Sequence, residues 1–312
     1  MRKRWTANEL SLLRQLMQAG HSYASAGRVL DKSYNSVRQK CRLEGIRSTG
    51  TRDVADLIPP PDVPTYDGAL ELEGDFIIVC DVHAPATDWL LASQAALIGQ
   101  KYLVEPRRLL IVGDLMNYEA FSRYDALVAL PSFEAEKGAA QFAVKLWLQS
   151  FDEVYLALGN HDYRWIRQFQ GVFPEDTILD LLHALVSNDQ RLTISIYPWM
   201  TVDTINGIWH FTHLMEYAQT PLMKARKKAN KHKNRHVCVA HQHHLAMGLD
   251  ESGRFVIADL PMLADDEKLA YVGLGDSTKP AMKRGFSMLR NGTLYQFSDN
   301  PAYTDWGFWL DG

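Results

Sequence analysis

Five short polar clusters in this 312-residue chain bring aspartate, histidine and asparagine together at close spacing: Asp81-Val-His83, Gly113-Asp114-Leu-Met-Asn117, Gly159-Asn160-His161-Asp162, His210-Phe-Thr-His213 and His241-Gln-His243. Carboxylate, imidazole and amide side chains suit borderline or hard divalent cations. Two such cations about 3.5 to 4 Å apart can share a water, lower its pKa and clamp the attacking and departing oxygens of an in-line displacement at phosphorus. The clusters therefore read as a two-metal hydrolytic site in which hydroxide, not a side chain, is the nucleophile. Any one fragment is commonplace, and a lone histidine on an apolar face is more often a core residue than a ligand. Five in succession, holding His83, His161, His210, His213, His241 and His243 of the chain's eleven histidines, have no common structural explanation. His21, His183, His232 and His236 lie outside the clusters and read as ordinary structural residues.

What must position these side chains is a set of strands. Phe76-Ile-Ile-Val-Cys80 runs into Asp81, Leu109-Leu-Ile-Val112 into Gly113 and Val154-Tyr-Leu-Ala-Leu158 into Gly159, each short, apolar and rich in strand-forming types. Parallel strands ending at one rim would gather the clusters there. Side chains two apart on extended chain share a face, which groups Asp81 with His83 and His241 with His243, and sets His210 and His213 on opposite faces. Only one of the latter pair is then expected as a ligand. His213, at the end of Ile208-Trp-His-Phe-Thr212, matches the pattern of clusters that follow their strands. Helical patterns around Asp88 to Leu103 and Glu136 to Phe151 alternate with the strands, which indicates an α/β layering. Tyr271-Val-Gly-Leu-Gly275 and Gly285-Phe-Ser-Met-Leu289 read as further strands closing a second sheet.

The series D-x-H, GD-x-x-N, GNHD, H, H-x-H resembles that of calcineurin-like metallophosphoesterases over roughly residues 75 to 295, in the order that family uses. The resemblance implies a four-layer αββα sandwich, helices outside two facing mixed sheets, with a binuclear centre at the sheet edges. It implies one cation held by Asp81, His83, Asp114 and His243, and a second held by Asp114, Asn160, His213 and His241, with Asp114 as the bridge. His161 is then no ligand: the equivalent histidine approaches the phosphate or leaving-group oxygen, and Asp162 steadies its ring. A cationic His161 could donate a proton to the departing alkoxide. Arg164 is either a bidentate phosphate clamp or a solvated surface arginine. Two departures from the common pattern, Ala240 before the H-x-H and Asn117 in a place often acidic, remove no ligand. His244 is expected to be a buried core residue. Manganese is the expected ion, and iron, zinc and nickel also accept such a donor set. The segment Gly159 to Arg164 also resembles phage-encoded phosphoesterases.

Residues 1 to 52 carry eleven Lys or Arg against Glu9, Asp31 and Glu44, a balance of +8, so the other 260 residues carry −12 to give the net −4. Such segregation suggests a nucleic-acid-facing module on an acidic enzyme body. Thr6-Ala-Asn-Glu9 is a capping-box pattern that starts a helix with Leu10, Leu13 and Met17 on one face, ended by Gly20. A second short helix is expected from about Ser22 to Leu30. Ser33 can cap a third, with Val37 and Cys41 inward and Arg38, Gln39, Lys40 and Arg42 outward. With Trp5 as anchor this reads as a helix-turn-helix unit over residues 1–52, and it resembles GcrA-like and Myb/SANT-like DNA-binding domains. Tyr34, Asn35, Arg38 and Gln39 are the expected base or phosphate contacts, with Lys40 and Arg42 beside them and Arg2, Lys3 and Arg4 as a backbone-binding arm. The alternative is a basic bundle used for protein contact. Residues 53–74, with Pro59, Pro60, Pro61 and Pro64, read as a linker, and residues 75–312 as the metallophosphoesterase domain.

A basic run, Lys224 to Arg235 with Lys227, Lys228 and Lys231 at its centre, lies between His213 and the His241/His243 pair. Because both flanks supply ligands, it is expected near the site, as a rim that draws in a polyanion or as an exposed helix face. Cys41, Cys80 and Cys238 sit in apolar contexts, which fits buried thiols in a reducing compartment. Without a signal-peptide pattern or an apolar run long enough to span a bilayer, the expected location is the cytoplasm, away from membranes. The sequence leaves the oligomeric state open. The leading reading is a metal-dependent hydrolase of phosphate esters acting on DNA, as nuclease or end phosphatase. A phosphatase or phosphodiesterase for proteins or small nucleotides, or a catalytically silent DNA-binding regulator, are the alternatives.

Overall fold

The computed structural model describes residues 5–46, 68–122, 130–169, 172–273 and 282–311. The chain divides into two compact units, Met1–Tyr66 and Asp67–Gly312.

The first unit contains α1 (Ala7–Gln18), α2 (Tyr23–Val29) and α3 (Tyr34–Leu43). Each begins where the chain supplies a hydroxyl: Thr6, Ser22 and Ser33 accept the backbone N–H of Glu9, Ser25 and Ser36, satisfying donors that a helix start leaves orphaned. Glu9 completes the capping box by accepting the Thr6 N–H at 2.7 Å. Leu13, Met17, Ala26, Leu30, Val37 and Cys41 form the core, and Trp5 packs against it with the Lys32 ammonium 5.3 Å from its ring centre. Tyr34, Asn35, Arg38, Gln39 and Arg42 of α3 are exposed, whereas Lys40 is half-buried and donates to Glu44 at 2.7 Å. Arg2, Lys3 and Arg4 lie outside the described residues.

The second unit runs β1 (Glu71–Glu73), β2 (Phe76–Val79), α4 (Trp89–Tyr102), β3 (Arg108–Val112), α5 (Phe133–Leu148), β4 (Glu153–Ala157), α6 (Asp162–Ile166), α7 (Glu175–Val186), β5 (Leu192–Ser195), β6 (Trp199–Thr204), β7 (Gly207–His213), α8 (Met223–Lys231), β8 (His236–Ala240), β9 (Ala246–Leu249), β10 (Val256–Asp259), α9 (Ala270–Gly273), β11 (Gly285–Arg290) and β12 (Thr293–Ser298). Two six-stranded mixed sheets result, ordered β12-β11-β2-β3-β4-β5 and β1-β6-β7-β8-β10-β9. Strands β2 to β5 are parallel in the first, and β7, β8 and β10 in the second.

Alternation along the strands builds the layers. Phe76, Ile78, Leu110 and Val112 meet Met200, Val202, Trp209, Phe211 and Cys238 between the sheets. Ile77, Val79, Leu109 and Ile111 face the other way, onto Leu91 and Ala95 of α4, Val144 of α5 and Leu182 of α7. Beyond the second sheet, Ala225 and Ala229 of α8 pack on Val237, Val239 and Ile257. The order is helix, sheet, sheet, helix, a mixed α/β sandwich.

Three expectations need correction. Residues 68–74, taken as the end of the linker, belong to the sandwich: Leu70 and Leu72 pack against the core between the sheets, and Glu71–Glu73 pairs in parallel with β6. The four prolines fall among residues outside the described ones. Ala270–Gly273 is a helical turn rather than a strand, since a short apolar run does not by its periodicity distinguish the two. Gly285–Arg290 is a strand, but it pairs antiparallel with β2 and so joins the first sheet. Among the described residues no helix is long and apolar enough to cross a membrane.

Candidate metal centre

Five strands from both sheets end at the polar clusters. Asp81 and His83 follow β2, Asp114 follows β3, Asn160 and His161 follow β4, His213 closes β7, and His241 and His243 follow β8. All of these except Asn160 and His241 are buried, and those two are partly so.

The side chains converge in overlapping sets whose ligand atoms lie within 4.8 Å of one another: Asp81, His83 and His243; His83, Asp114 and His161; Asp114, His213 and His241. The first and third sets share no member but are joined through Asp114 and His83 in the second. His83 Nε2 is buried without a hydrogen-bond partner, 3.9 Å from Asp81 Oδ1 and 3.9 Å from Asp114 Oδ2. His243 Nε2 is 3.1 Å from Asp81 Oδ1. His213 Nε2 stands 3.2 Å from Asp114 Oδ2 and 3.0 Å from Asn160 Oδ1. All seven residues expected as ligands thus lie in one buried neighbourhood. His210 does not: it is buried elsewhere, stacked on His232 with ring centres 4.0 Å apart.

Second partners fix the imidazoles so that a lone pair points inward. His83 Nδ1–H donates to Asn117 Oδ1 at 3.1 Å, and His213 Nδ1–H to the Val112 carbonyl at 3.0 Å. His161 Nδ1–H donates to the Asn117 carbonyl at 2.8 Å. Asn117 therefore orients two histidines at once. The motif contained this residue, but its role was missed because side chain and main chain act on different rings.

The route by which the ligands meet differs from strand alternation. Asp81 (φ 50°), His83 (φ 45°), Asp114 (φ 54°), His241 (φ 78°) and His243 (φ 53°) all occupy the left-handed region. Such conformations cost about 1–3 kcal/mol each for non-glycine residues and persist only where the surroundings impose them. Here His83 N–H donates to the Asp114 carbonyl at 2.9 Å and Asp81 N–H to the Gly113 carbonyl at 3.2 Å, which zips the two loops together. Asp-x-His and His-x-His side chains converge because the backbone curls after the strand, not because extended residues share a face. Gly159 is required by contact: a Cβ there would strike the Asp114 carboxylate and backbone.

Asp162 has a different place from the expected one. The His161 ring is hydrogen-bonded to Asn117 and Arg164, while Asp162 Oδ2 accepts the N–H of Asp114 at 2.9 Å and of Gly159 at 2.7 Å, tying the β3 and β4 loops. Burial, with the Asp114 charge beside it, raises its carboxyl to about 7. Arg164 is held inward instead: Nη2–H donates to His161 Nε2 at 3.1 Å, Nη1–H to the Asn117 carbonyl at 3.1 Å, and Glu119 is 3.7 Å away.

The electrostatics favour added cations. Burial opposes ionisation of Asp81 and Asp114, but neighbouring histidines, His243 and His213 for the first and His213 and His161 for the second, hold both well below the usual carboxylate range. Burial likewise opposes charge on His213, and the Asp114 and Asp81 carboxylates overcome it, pushing His213 up to about 10. A proton on its Nε2 sits among oxygens of Asp114 and Asn160, as a cation would. Burial lowers His241 to about 4 and His83 well below 6.5, with His213 and His161 respectively adding to the effect. His161 is lowered too, by burial first and with Arg164 adding, and its Nε2 accepts from Arg164. Two carboxylates, an amide oxygen and inward-facing imidazole nitrogens, with a cation displacing the His213 Nε2 proton, fit a pair of divalent ions.

The basic run from Lys224 to Lys231 lies on α8, with Lys227 and Lys231 exposed and Lys228 half-buried, and Lys233 and Arg235 follow the helix. Because α8 packs on the strand that follows it, its first residues lie toward the ligand edge and Lys231 toward the opposite one, about 1.5 Å further per residue. Nearness to the site holds for one end of the run only. His244 is buried, as expected, and its Nδ1 is 3.0 Å from Asp259 Oδ2. Cys41, Cys80 and Cys238 are buried free thiols.

No protein-family model matches the chain, and no curated protein matches it. Among solved structures, a single mutant of Vps29 from Entamoeba histolytica overlaps with a TM-score of 0.36 at 11% identity, covering 72% of this chain and 99% of that one. A conserved protein of Streptococcus pneumoniae described as a predicted phosphoesterase gives 0.33 at 12% identity, covering 72% and 97%. The phosphopantetheinyl hydrolase of Mycobacterium tuberculosis gives 0.31 at 10% identity, covering 76% and 99%. Overlaps at TM-scores this low carry no argument about function, which rests on the residues of the site.

Proposed function

We propose that this chain hydrolyses phosphate esters with two divalent cations, manganese first among them, and that its first unit directs the chemistry to DNA. The observation that carries the reading is the convergence of buried ligand sets around Asp114, each with an inward nitrogen or oxygen. Asp81, His83, Asp114 and His243 would hold one ion, and Asp114, Asn160, His213 and His241 the other. Bound there, the ions would supply an acidified water and the charge that neutralises phosphate oxygens. The chain's own residues do the rest. Asp114, anchored by its N–H to Asp162, keeps its carboxylate between the two sets. His161, neutral and fixed by Asn117, positions the Arg164 guanidinium, whose planar donors suit two oxygens of the ester. Support for DNA comes from the +8 balance of residues 1–52 and the exposed Arg38, Gln39 and Arg42 of α3.

The test offers manganese-loaded full chain p-nitrophenyl phosphate, its bis-ester, and single- and double-stranded DNA. DNA cleavage that disappears in Asp114→Asn and weakens on deletion of residues 1–52 is the expected result. Turnover of monoesters alone points to a phosphatase of proteins or small nucleotides. No turnover and no bound metal with manganese, iron, zinc or nickel leaves only a silent regulator.

A further inference from the structure

A cavity of 520 Å³ is walled by Tyr163, Ile166, Phe173, Ile178, Ile196 and Met215, with Arg167 and Glu175 also on its lining. Its place in the fold is informative. Along the first sheet β2, β3 and β4 each deliver ligands at their carboxyl ends; the next strand, β5, is parallel to β4 and runs directly into Ile196. Tyr163 lies two residues past His161, and Met215 two past His213. The cavity therefore occupies the same edge as the ligand cluster, one strand further on.

We infer that this cavity binds the base of the nucleotide whose phosphate the cluster holds, as a flat heteroaromatic ring free of any pairing partner. The inference rests on the phosphoesterase reading and narrows its substrate. Phe173 and Met215 leave large apolar side chains 42% and 48% exposed on the lining, the Phe173 ring with its centre 5.9 Å from that of Phe169. An aromatic ring and a thioether are the groups that contact another ring well. The Tyr163 hydroxyl donates to the Ile196 carbonyl, which locks two of the walls and leaves the ring as a surface rather than a polar probe. Arg167 and Glu175, both exposed, place a donor and an acceptor on one lining, a combination that reads the amide-like edge of a base. An alkyl chain would leave both unused. A ring can lie against these walls only when it is unstacked, so the substrate is a single strand, a frayed end or a free nucleotide.

The test compares p-nitrophenyl esters of thymidine 5′-monophosphate, methyl phosphate and dodecyl phosphate on metal-loaded full chain. The nucleoside ester is expected to exceed the methyl ester in kcat/KM by roughly tenfold or more, the size that stacking one base supplies. Ile178→Trp, which fills the cavity, abolishes that advantage and leaves the methyl ester unchanged; should it not fold, Phe173→Ala at the exposed rim reads the same loss. Equal rates for the nucleoside and methyl esters, or a preference for dodecyl, overturn the inference. A second measurement needs no metal: thymidine or adenosine, titrated calorimetrically into the metal-free chain, binds saturably in the native protein and not in the variants. Absent binding overturns the inference even where esters are cleaved. Binding without any hydrolysis upholds the base site and sinks the phosphoesterase reading alone.

Discussion

The three-helix unit and the ligand edge of the sandwich follow opposite rules. In α1 to α3 each helix starts at a hydroxyl cap, the core is six apolar side chains, and Asn35, Arg38, Gln39 and Arg42 are exposed. At the ligand edge, carboxylates and imidazoles are buried and five of the seven expected ligands hold left-handed backbone. Among the described residues of the first region one non-glycine residue, Asp31 (φ 47°), holds left-handed backbone. The second breaks several local preferences together, and local rules fail in this way where a structure keeps a site. If that contrast has a chemical cause, perturbing the edge must cost function far more than stability.

The largest effect is expected at Asp114. Asp114→Asn keeps the side-chain shape and removes the charge common to both ligand sets. Hydrolysis should fall about a thousandfold, as expected where several kcal/mol of charge stabilisation is lost, and bound metal measured after dialysis should drop below two per chain. Retained metal content with retained activity would end the two-ion reading.

The two regions also differ in how far the sequence discloses them. Helix starts at Thr6, Ser22 and Ser33 could be placed because a cap and its helix are neighbours in the chain. The ligand types could be read for the same reason, since each cluster is a few residues long. Their geometry could not: strand alternation predicted that Asp81 and His83 share a face, whereas the left-handed turn after β2 depends on a hydrogen bond to the β3 loop, far along the chain. Asp162 misled similarly. Next to His161 in sequence, it spends its oxygen on backbone N–H groups of two loops instead. The partners of Arg164 were invisible, since nothing in the sequence links it to Asn117 or Glu119.

Asn117 sharpens the contrast at the next scale. Asn117→Ala leaves the His83 ring without its acceptor, and loss of such an orienting partner costs about 10–100-fold in metal affinity or activity. Asn117→Asp retains an acceptor and should recover most of it. Calorimetric titration of manganese into both variants decides this; equal affinities would show that the ring is held by packing alone.

Glu136 extends the strained region behind the edge. Fully buried on α5, it accepts the Glu119 N–H at 3.1 Å while its other oxygen has no partner, and burial raises its pKa to about 7. A carboxyl raised above its unfolded value of 4.5 favours the folded state below about pH 4.5, and that advantage is lost as pH rises through about 7. Glu136→Gln should therefore match the native chain near pH 4.5 and exceed it by about 1–3 kcal/mol above pH 7. Denaturant melts across that range test the sign. A difference independent of pH would mean that folding leaves the Glu136 pKa where the unfolded chain has it.

The smallest effect belongs to the helical unit, at an exposed side chain of α3. Arg38 projects from α3 between Val37 and Gln39, exposed and away from the core. If the unit holds DNA through phosphates, Arg38→Ala should weaken binding about equally across sequences and lower the slope of log affinity against log salt by about one. Melting should not move, because the side chain supports no packing. A sequence-dependent loss with an unchanged slope would reassign Arg38 to a base edge. No loss at all would take α3 out of the interface and leave the positive charge of the unit to serve another partner.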